Sequence, residues 1–188
     1  MDLAWDDRRT RQFVTNVGLI TSNGPHGQNI MSAEWTHHIS YSPSLIAVCL
    51  HAVDATAENI KKSKEFGVNL ATENQNVIVS IAGGSSGKNV NKIAVLKELG
   101  IEFYKAKKIK ALMIKGAAMN AGCKVIKAIP LGDHITFVGE VVEISADENI
   151  KPLIYHNGRY WKFGEQIIKP PQEVLDKIAK LVQRYKKS

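Results

Sequence analysis

Two stretches of this chain read as antiparallel hairpins, and they limit the folds open to it. In "GLITSNGPHGQNIMSAEW" a β-rich run passes through Asn-Gly and Gly-Pro pairs into a second extended run. Further on, "AAMNAGCKVIKAI" and "HITFVGEVVEISA" flank the turn signal "PLGD". So short a turn joins antiparallel neighbours, because parallel strands need a crossover of roughly a dozen residues. The chain is therefore expected to be mainly β with short α insertions, an antiparallel barrel rather than a doubly wound sheet. "HHISYSPSLIAVCLH" is continuously apolar from Leu45 to Leu50, which predicts a strand buried on both faces. "FGVNLAT" reads as another strand, and "KPLIYHNGRYWKFGE" as one more with an aromatic cluster.

Two helices interrupt or follow this β pattern. "DATAENIKKSKEFG" has Asp54 or Thr56 as N-cap, Ile60 on its apolar face, lysines in the later turns and Gly67 near its stop. The end of the chain, "PPQEVLDKIAKLVQRYKKS", predicts a helix opening at Pro171 with Val174, Ile178, Leu181, Val182 and Tyr185 as its apolar stripe. With 188 residues, 44% of them hydrophobic, the chain suits one soluble domain over 1–168 followed by an amphipathic basic helix over 169–188.

The net charge of +7 gathers in "KKIK" at 107–110 and in the tail, where Lys169, Lys177, Lys180, Arg184, Lys186 and Lys187 face only Glu173 and Asp176. The tail lacks the interleaved aromatics of a single-strand binder, so it reads first as a helix packed on its own domain or on a second subunit. Cys49 and Cys123 stand alone in apolar runs, with no disulfide framework or zinc spacing. His37 and His38 are adjacent, would point to opposite faces of a strand, and make a poor metal pair. A charged N-terminus and the lack of a long apolar run point to a cytoplasmic protein without a membrane span.

The stretch "VIVSIAGGSSGKNVNKIAVLKELG" looks like the strand, glycine loop and helix of a P-loop. A P-loop needs G-x-x-x-x-G-K-[ST], so that backbone amides wrap the phosphates and the hydroxyl holds magnesium. Counted from Gly87-Lys88, the first glycine position holds Ala82 and the hydroxyl position holds Asn89. Both ends fail, which leaves a glycine and serine loop carrying Lys88 and Lys92 that can still meet a phosphate. For either lysine, a solvated surface position is the alternative.

A set of motifs in fixed order is more specific: "N-x-M-S-A-x-W", "S-x-S-P-x-L-I-A-V-x-L", "A-T-A-E-N-I", "E-F-x-V-N-L", "N-K-I", "G-D-H-x-x-F-x-G-E-V" and "Y-H-N-G-R-Y-W-K-F-G". Together they resemble the flavin reductase-like family of FMN-binding split barrels, which includes flavoredoxins and small reductase components, and the resemblance covers about 17–165. The chain departs from the family pattern at Pro43-Ser44, where a double proline is common, and at Ile93, where an aromatic is common, so the subfamily stays open.

The resemblance implies an antiparallel split β-barrel, with FMN in a groove at a homodimer interface against the strand holding Asn29, Met31, Ser32, Ala33 and Trp35. It implies that Asn29 bonds the flavin's polar edge, with a turn residue as the alternative, and that Trp35 brackets the cofactor, with core packing as the alternative. Cys49 and Leu50 would end the strand beneath the ring, with Cys49 an inert packing thiol. Thr56, at a helix N-terminus, would serve the ribityl chain or phosphate, or act simply as a cap. Lys92 would pair with the phosphate on a mobile loop, with Lys88 as runner-up. His134 would contact the flavin or a nicotinamide, or bond the turn backbone; Phe163 would cover the flavin, or pack with Tyr155.

Flavin chemistry asks no acid, base or nucleophile of the protein, which fits the lack of a triad or carboxylate pair. The expected activity is that of an FMN-dependent oxidoreductase, fed by NADH, NADPH or a redox partner protein and passing electrons to a flavin, ferric or protein acceptor. The alternatives are a pyridoxamine phosphate oxidase, whose order of phosphate-binding residues is not found, an FMN carrier without nicotinamide activity, and a cofactor-free barrel binding nucleic acid through its tail.

Overall fold

A computed structural model describes residues 1–4 and 7–186; Lys187, counted above among the tail cations, lies outside the described residues. After a short 3-10 turn at Thr10–Gln12, the strands β1 (Val14–Asn16), β2 (Gly18–Gly24), β3 (Gly27–Ala33), β4 (Thr36–Tyr41) and β5 (Ser44–His51) follow in succession. Helix α1 (Ala55–Ser63) and strand β6 (Glu65–Leu70) precede α2 (Asn76–Gly84) and α3 (Lys92–Glu98). Then come β7 (Phe103–Lys105), β8 (Leu112–Ile114), the long pair β9 (Met119–Leu131) and β10 (His134–Ala146), β11 (Ile154–His156), β12 (Arg159–Trp161) and α4 (Gln172–Arg184).

Seven strands form one antiparallel sheet in the order β3-β2-β6-β9-β10-β5-β4. The chain runs from β3 directly to β4, so the two edges of this sheet belong to consecutive strands and mark the split in the barrel. Both expected hairpins are present. The β2–β3 pair closes over Pro25 and His26, with Gly24 opposite Gly27. The β9–β10 pair closes over Gly132 and Asp133, with Leu131 opposite His134, and Gly132 adopts the left-handed φ of 60° that such a tight turn favours.

Alternation on β2 and β3 sends side chains to two cores. Ile20 and Ala33 join Val48, Leu50, Ile60, Phe66 and Phe137 on one face, against α1. Leu19 and Ile30 join Ile78, Val79, Ile93 and Leu96 on the other, under α2 and α3. Asn69, from the "VNL" of β6, is fully buried and ties four strands: it donates to Leu19 O (2.8 Å) and accepts from Ile114 N (2.9 Å) and Asn120 Nδ2 (2.7 Å). Its place in the motif is therefore structural.

Several expectations need correction. The β-branched run at 77–81, strand-like at first sight, lies in α2, because Ile78, Val79 and Ala82 share one buried helical stripe while Val77 and Ser80 face outward. Helix α1 stops at Ser63, where Lys64 takes a left-handed φ of 61°; Gly67 lies inside β6, where a side chain would collide with Thr21 and Met113. β5 is fully buried on one face only, through Ile46, Val48 and Leu50, while Leu45, Ala47 and Cys49 are half-buried on the other. The single strand expected near 154–161 is the hairpin β11–β12, turning at Asn157 and Gly158. Pro171 caps α4 rather than opening its first turn, and the stripe of Val174, Ile178, Leu181, Val182 and Tyr185 is exposed, with no α4 residue buried. Among the described residues, no helix is long and apolar enough to cross a membrane.

Candidate functional site

The expected site residues form two groups that flank the short link from β5 to α1. The first is built on β3 and the start of α1. Asn29 lies within β3, not in the turn, and is 3% exposed. Its Nδ2 donates to Thr56 Oγ1 at 2.9 Å, and its Oδ1 is buried without a partner. Thr56, the second residue of α1, is also buried and accepts that bond, which leaves its own O–H to donate. Asp54 occupies the N-cap position without a side-chain capping bond, so the first N–H groups of α1 stay available. Gly87, from the loop between α2 and α3, packs flat on the Asn29 amide, so closely that any Cβ there would collide with it.

Lys92 is not a surface lysine. It opens α3, is 3% exposed, and its Nζ donates to Ala82 O near the end of α2 at 2.8 Å. Desolvation pulls its pKa from 10.5 down to about 8, opposed by the nearby charge of Asp54. A cation held in so dry a place, with N–H groups still to give, gains strongly from an anion. Lys88 instead bonds Glu58 Oε1 at 2.6 Å, and Glu58 Oε2 meets His26 Nε2 at 2.6 Å. The hydrogen bonds from Lys88 and His26 hold the Glu58 carboxyl down at about 2 and strap the glycine loop across the β2–β3 turn and α1. The loop is thus tied to α1 through Lys88, and Lys92 just beyond it is tied to α2.

The second group lies where β5, β10 and the start of β4 meet. His134 Nδ1 bonds Asp133 Oδ1 at 2.7 Å, and Asp133 Oδ2 stands 4.0 Å from His51 Nε2. The His134 ring lies 4.8 Å from the Trp35 ring and 5.3 Å from that of His51, its partner across β10 and β5. Trp35 is 46% exposed, so it is not a core residue. Its carbonyl accepts from Cys49 N, and the Cys49 thiol bonds Thr136 Oγ1 at 3.0 Å. The two groups adjoin, since Asp54 N, at the N-cap of α1, donates to His51 O.

Other expected residues are placed differently. Met31 and Ala33 pack toward the α1 core, whereas Ser32 points the opposite way and its hydroxyl donates to Val79 O at 2.8 Å in α2. Leu50 faces the core, away from Cys49. Phe163 is half-exposed beyond β12 and joins neither group, and Tyr155 packs toward Tyr160.

Residues not singled out from the sequence complete the site. Asn59 clamps the β2–β3 turn to α1, donating to Ser22 Oγ (3.1 Å) and Gly27 O (2.9 Å) and accepting from His26 N (2.9 Å). With Glu58 it makes the "EN" of "A-T-A-E-N-I" a device that holds Asn29 and Thr56 in register. The motif was visible, but its partners lie some thirty positions away in sequence, as in the His26–Glu58 pair. Among the described residues, no cluster of three or more His, Cys, Asp or Glu side chains could hold a metal.

A split antiparallel barrel with this arrangement on β3 and α1 defines a class, and residues 10–164 match the flavin reductase like domain. The chain belongs to that family. It is 34% identical over 133 residues to an uncharacterised protein of Archaeoglobus fulgidus, covering 71% of this chain and 73% of that one. It is 23% identical over 159 residues to an FMN reductase (NADH) of Acinetobacter baylyi, covering 82% and 81% of the two chains. Among solved structures, the flavoredoxin of Desulfovibrio vulgaris (Miyazaki F) superposes with a TM-score of 0.75 at 24% identity, over 90% of this chain and 97% of that one.

Proposed function

We propose that this chain is an FMN-binding oxidoreductase of the flavin reductase and flavoredoxin type, a cytoplasmic homodimer that takes electrons from NADH, NADPH or a redox partner protein. The acceptor is a flavin, a ferric complex or a protein. The observation that carries the reading is the unpartnered, buried Asn29 Oδ1 beside Thr56, under Gly87 and near the start of α1. A buried acceptor left unpaired costs about 1–3 kcal/mol, which a ligand hydroxyl or N–H removes. Family membership and the name of the Acinetobacter relative support a flavin as that ligand.

The residues present fit such a group. Asn29 and Thr56 offer one acceptor and one donor side by side, suited to a polyhydroxyl chain. The N-terminus of the nine-residue α1 and the buried Lys92 ammonium supply positive charge for a phosphate. Bound flavin would supply the hydride and electron chemistry. The bond from His134 Nδ1 to Asp133 Oδ1 leaves Nε2 for a ligand, while Trp35 and His51 pack against the ring. Trp35, with Ile39 and Tyr41 exposed on edge strand β4, supports a second copy of the chain covering this side.

An absorbance spectrum of the protein after reconstitution with FMN, followed by anaerobic mixing with NADH and with NADPH, tests the reading. A bound flavin that bleaches promptly is the expected result. A tightly bound flavin that neither nucleotide bleaches reassigns the chain as a carrier, and failure to retain any flavin overturns the proposal.

A further inference from the structure

The tail carries an amphipathic helix that the barrel does not cover. Strand β12 ends at Trp161, and Lys162 pairs with Glu73 at 3.3 Å, which ties the chain to the body at that point. Residues 163–171 then run without helix or strand, exposed throughout, with Ile167 and Ile168 almost wholly in water. Pro170 and Pro171 end this stretch, and Pro171 keeps the extended conformation, φ −53° and ψ 151°, of a stiff connector. Helix α4 follows, and none of its residues is buried.

The two faces of α4 differ in kind. Val174, Ile178, Leu181, Val182 and Tyr185 recur at i, i+4, i+7, i+8 and i+11, so they form one continuous apolar stripe, and each is exposed. Lys177, Lys180 and Arg184, spaced i, i+3 and i+7, form a row beside it, and Lys169 and Lys186 add charge at the two ends. None of the cations in that row has an ion pair among the described residues; Asp176 instead accepts from Gln172 Nε2 at 2.8 Å.

What covers such a stripe must bring negative charge together with an apolar interior. Residues 169–188 hold six cations against two acids, +4 of the chain's net +7, so the rest of the chain is positive as well. A second copy would meet α4 with like charge, and edge strand β4, the surface assigned above to self-association, carries no carboxylate. Anionic lipid supplies both requirements, headgroup phosphates for the cations and acyl chains for the stripe, without a shaped groove. At 13 residues α4 is too short to span a bilayer, which leaves the surface. Tyr185, with an apolar ring and a polar tip, suits the headgroup level.

We propose that α4 docks the protein on an anionic phospholipid surface, lying along it with Val174, Ile178, Leu181 and Val182 inserted and Lys177, Lys180 and Arg184 among the headgroups. None of these residues belongs to the site on β3 and α1, so the attachment does not depend on a bound flavin.

The test is co-sedimentation of the full chain with vesicles of phosphatidylcholine alone and of phosphatidylcholine mixed equally with phosphatidylglycerol. The proteins compared are the wild type, Ile178→Asp and the double variant Lys177→Gln/Lys180→Gln. All three positions are exposed, and unchanged thermal unfolding would verify that the variants fold. The wild type is expected to bind the anionic vesicles about tenfold or more tightly than the neutral ones and to release them as salt rises. Ile178→Asp should weaken that binding about tenfold or more, the effect of removing one inserted aliphatic side chain. The double variant should also weaken it about tenfold or more, from about fivefold for each lysine near the surface. A wild type that binds no anionic vesicles, or binds neutral and anionic vesicles equally, overturns the inference. A lower oligomeric state of lipid-free Ile178→Asp in sedimentation velocity also overturns it, because that result places the stripe against a second copy.

Discussion

Replacing Lys92 by methionine separates scaffold from ligand site. In the wild type the Lys92 ammonium is almost wholly shielded from water and its pKa falls from 10.5 to about 8, a drop equivalent to about 3 kcal/mol against the charged form. The unfolded chain holds this proton more tightly than the folded one, so the group destabilises the fold most below pH 8. That penalty is relieved as pH rises from about 8 to 10.5. Methionine fills much of the same volume without the charge, but it forfeits the bond to Ala82 O, worth about 1–2 kcal/mol. Lys92→Met should therefore be about 1–2 kcal/mol more stable than the wild type near neutral pH. The gap should close or reverse by about pH 10.5, and urea unfolding at several pH values measures it. FMN affinity, followed by flavin fluorescence, should fall about tenfold to a hundredfold with the loss of a charge-assisted contact. A variant that is less stable at neutral pH, parallels the wild type across the alkaline range and keeps its FMN affinity would refute this reasoning and make Lys92 a strut for α2.

Gly87→Ala should drive the loop off Asn29, cost about 1–3 kcal/mol in unfolding free energy and weaken FMN retention, as read by urea titration and fluorescence. Glu58→Gln removes the charge that holds Lys88 and His26, so amide exchange over 85–91 should quicken. Because the Glu58 pKa is lowered from 4.5 to about 2, its contribution to the wild type is complete above pH 4.5 and disappears only as pH falls toward 2. The wild-type loop should accordingly stay protected well into acid. Asp133→Asn should raise KM for the nicotinamide donor while leaving FMN affinity unchanged, since Asp133 touches His134 and His51 but none of Asn29, Thr56 and Lys92. In the folded protein an alkylating reagent should label the half-buried Cys49 and spare Cys123, whose thiol burial pushes up to about 12; mass spectrometry of the tryptic peptides distinguishes them.

The sequence by itself determined the antiparallel architecture, because turn chemistry and strand alternation are local. "SNGPHG" and "PLGD" sit between β-rich runs and produce β2–β3 and β9–β10 in the expected register. The motif order led to Asn29 and Thr56 for the same reason: each occupies a recognisable place, one on a strand after a turn and the other in the first turn of a helix. Tertiary structure decided everything that depends on which surface an element meets. The β-branched run at 77–81 became helical because its 3.6-residue stripe could be buried against Leu19 and Ile30, outweighing strand propensity. Lys92, ordinary in a chain read one residue at a time, became a dehydrated cation because α2 and α3 close around it. The straps of the site, His26–Glu58–Lys88 and Asn59 on the β2–β3 turn, join segments about thirty residues apart, and only folding makes them neighbours. The stripe on α4 is equally plain in the sequence, yet the folded chain leaves it exposed, because amphipathicity specifies that a face can be buried and not what buries it.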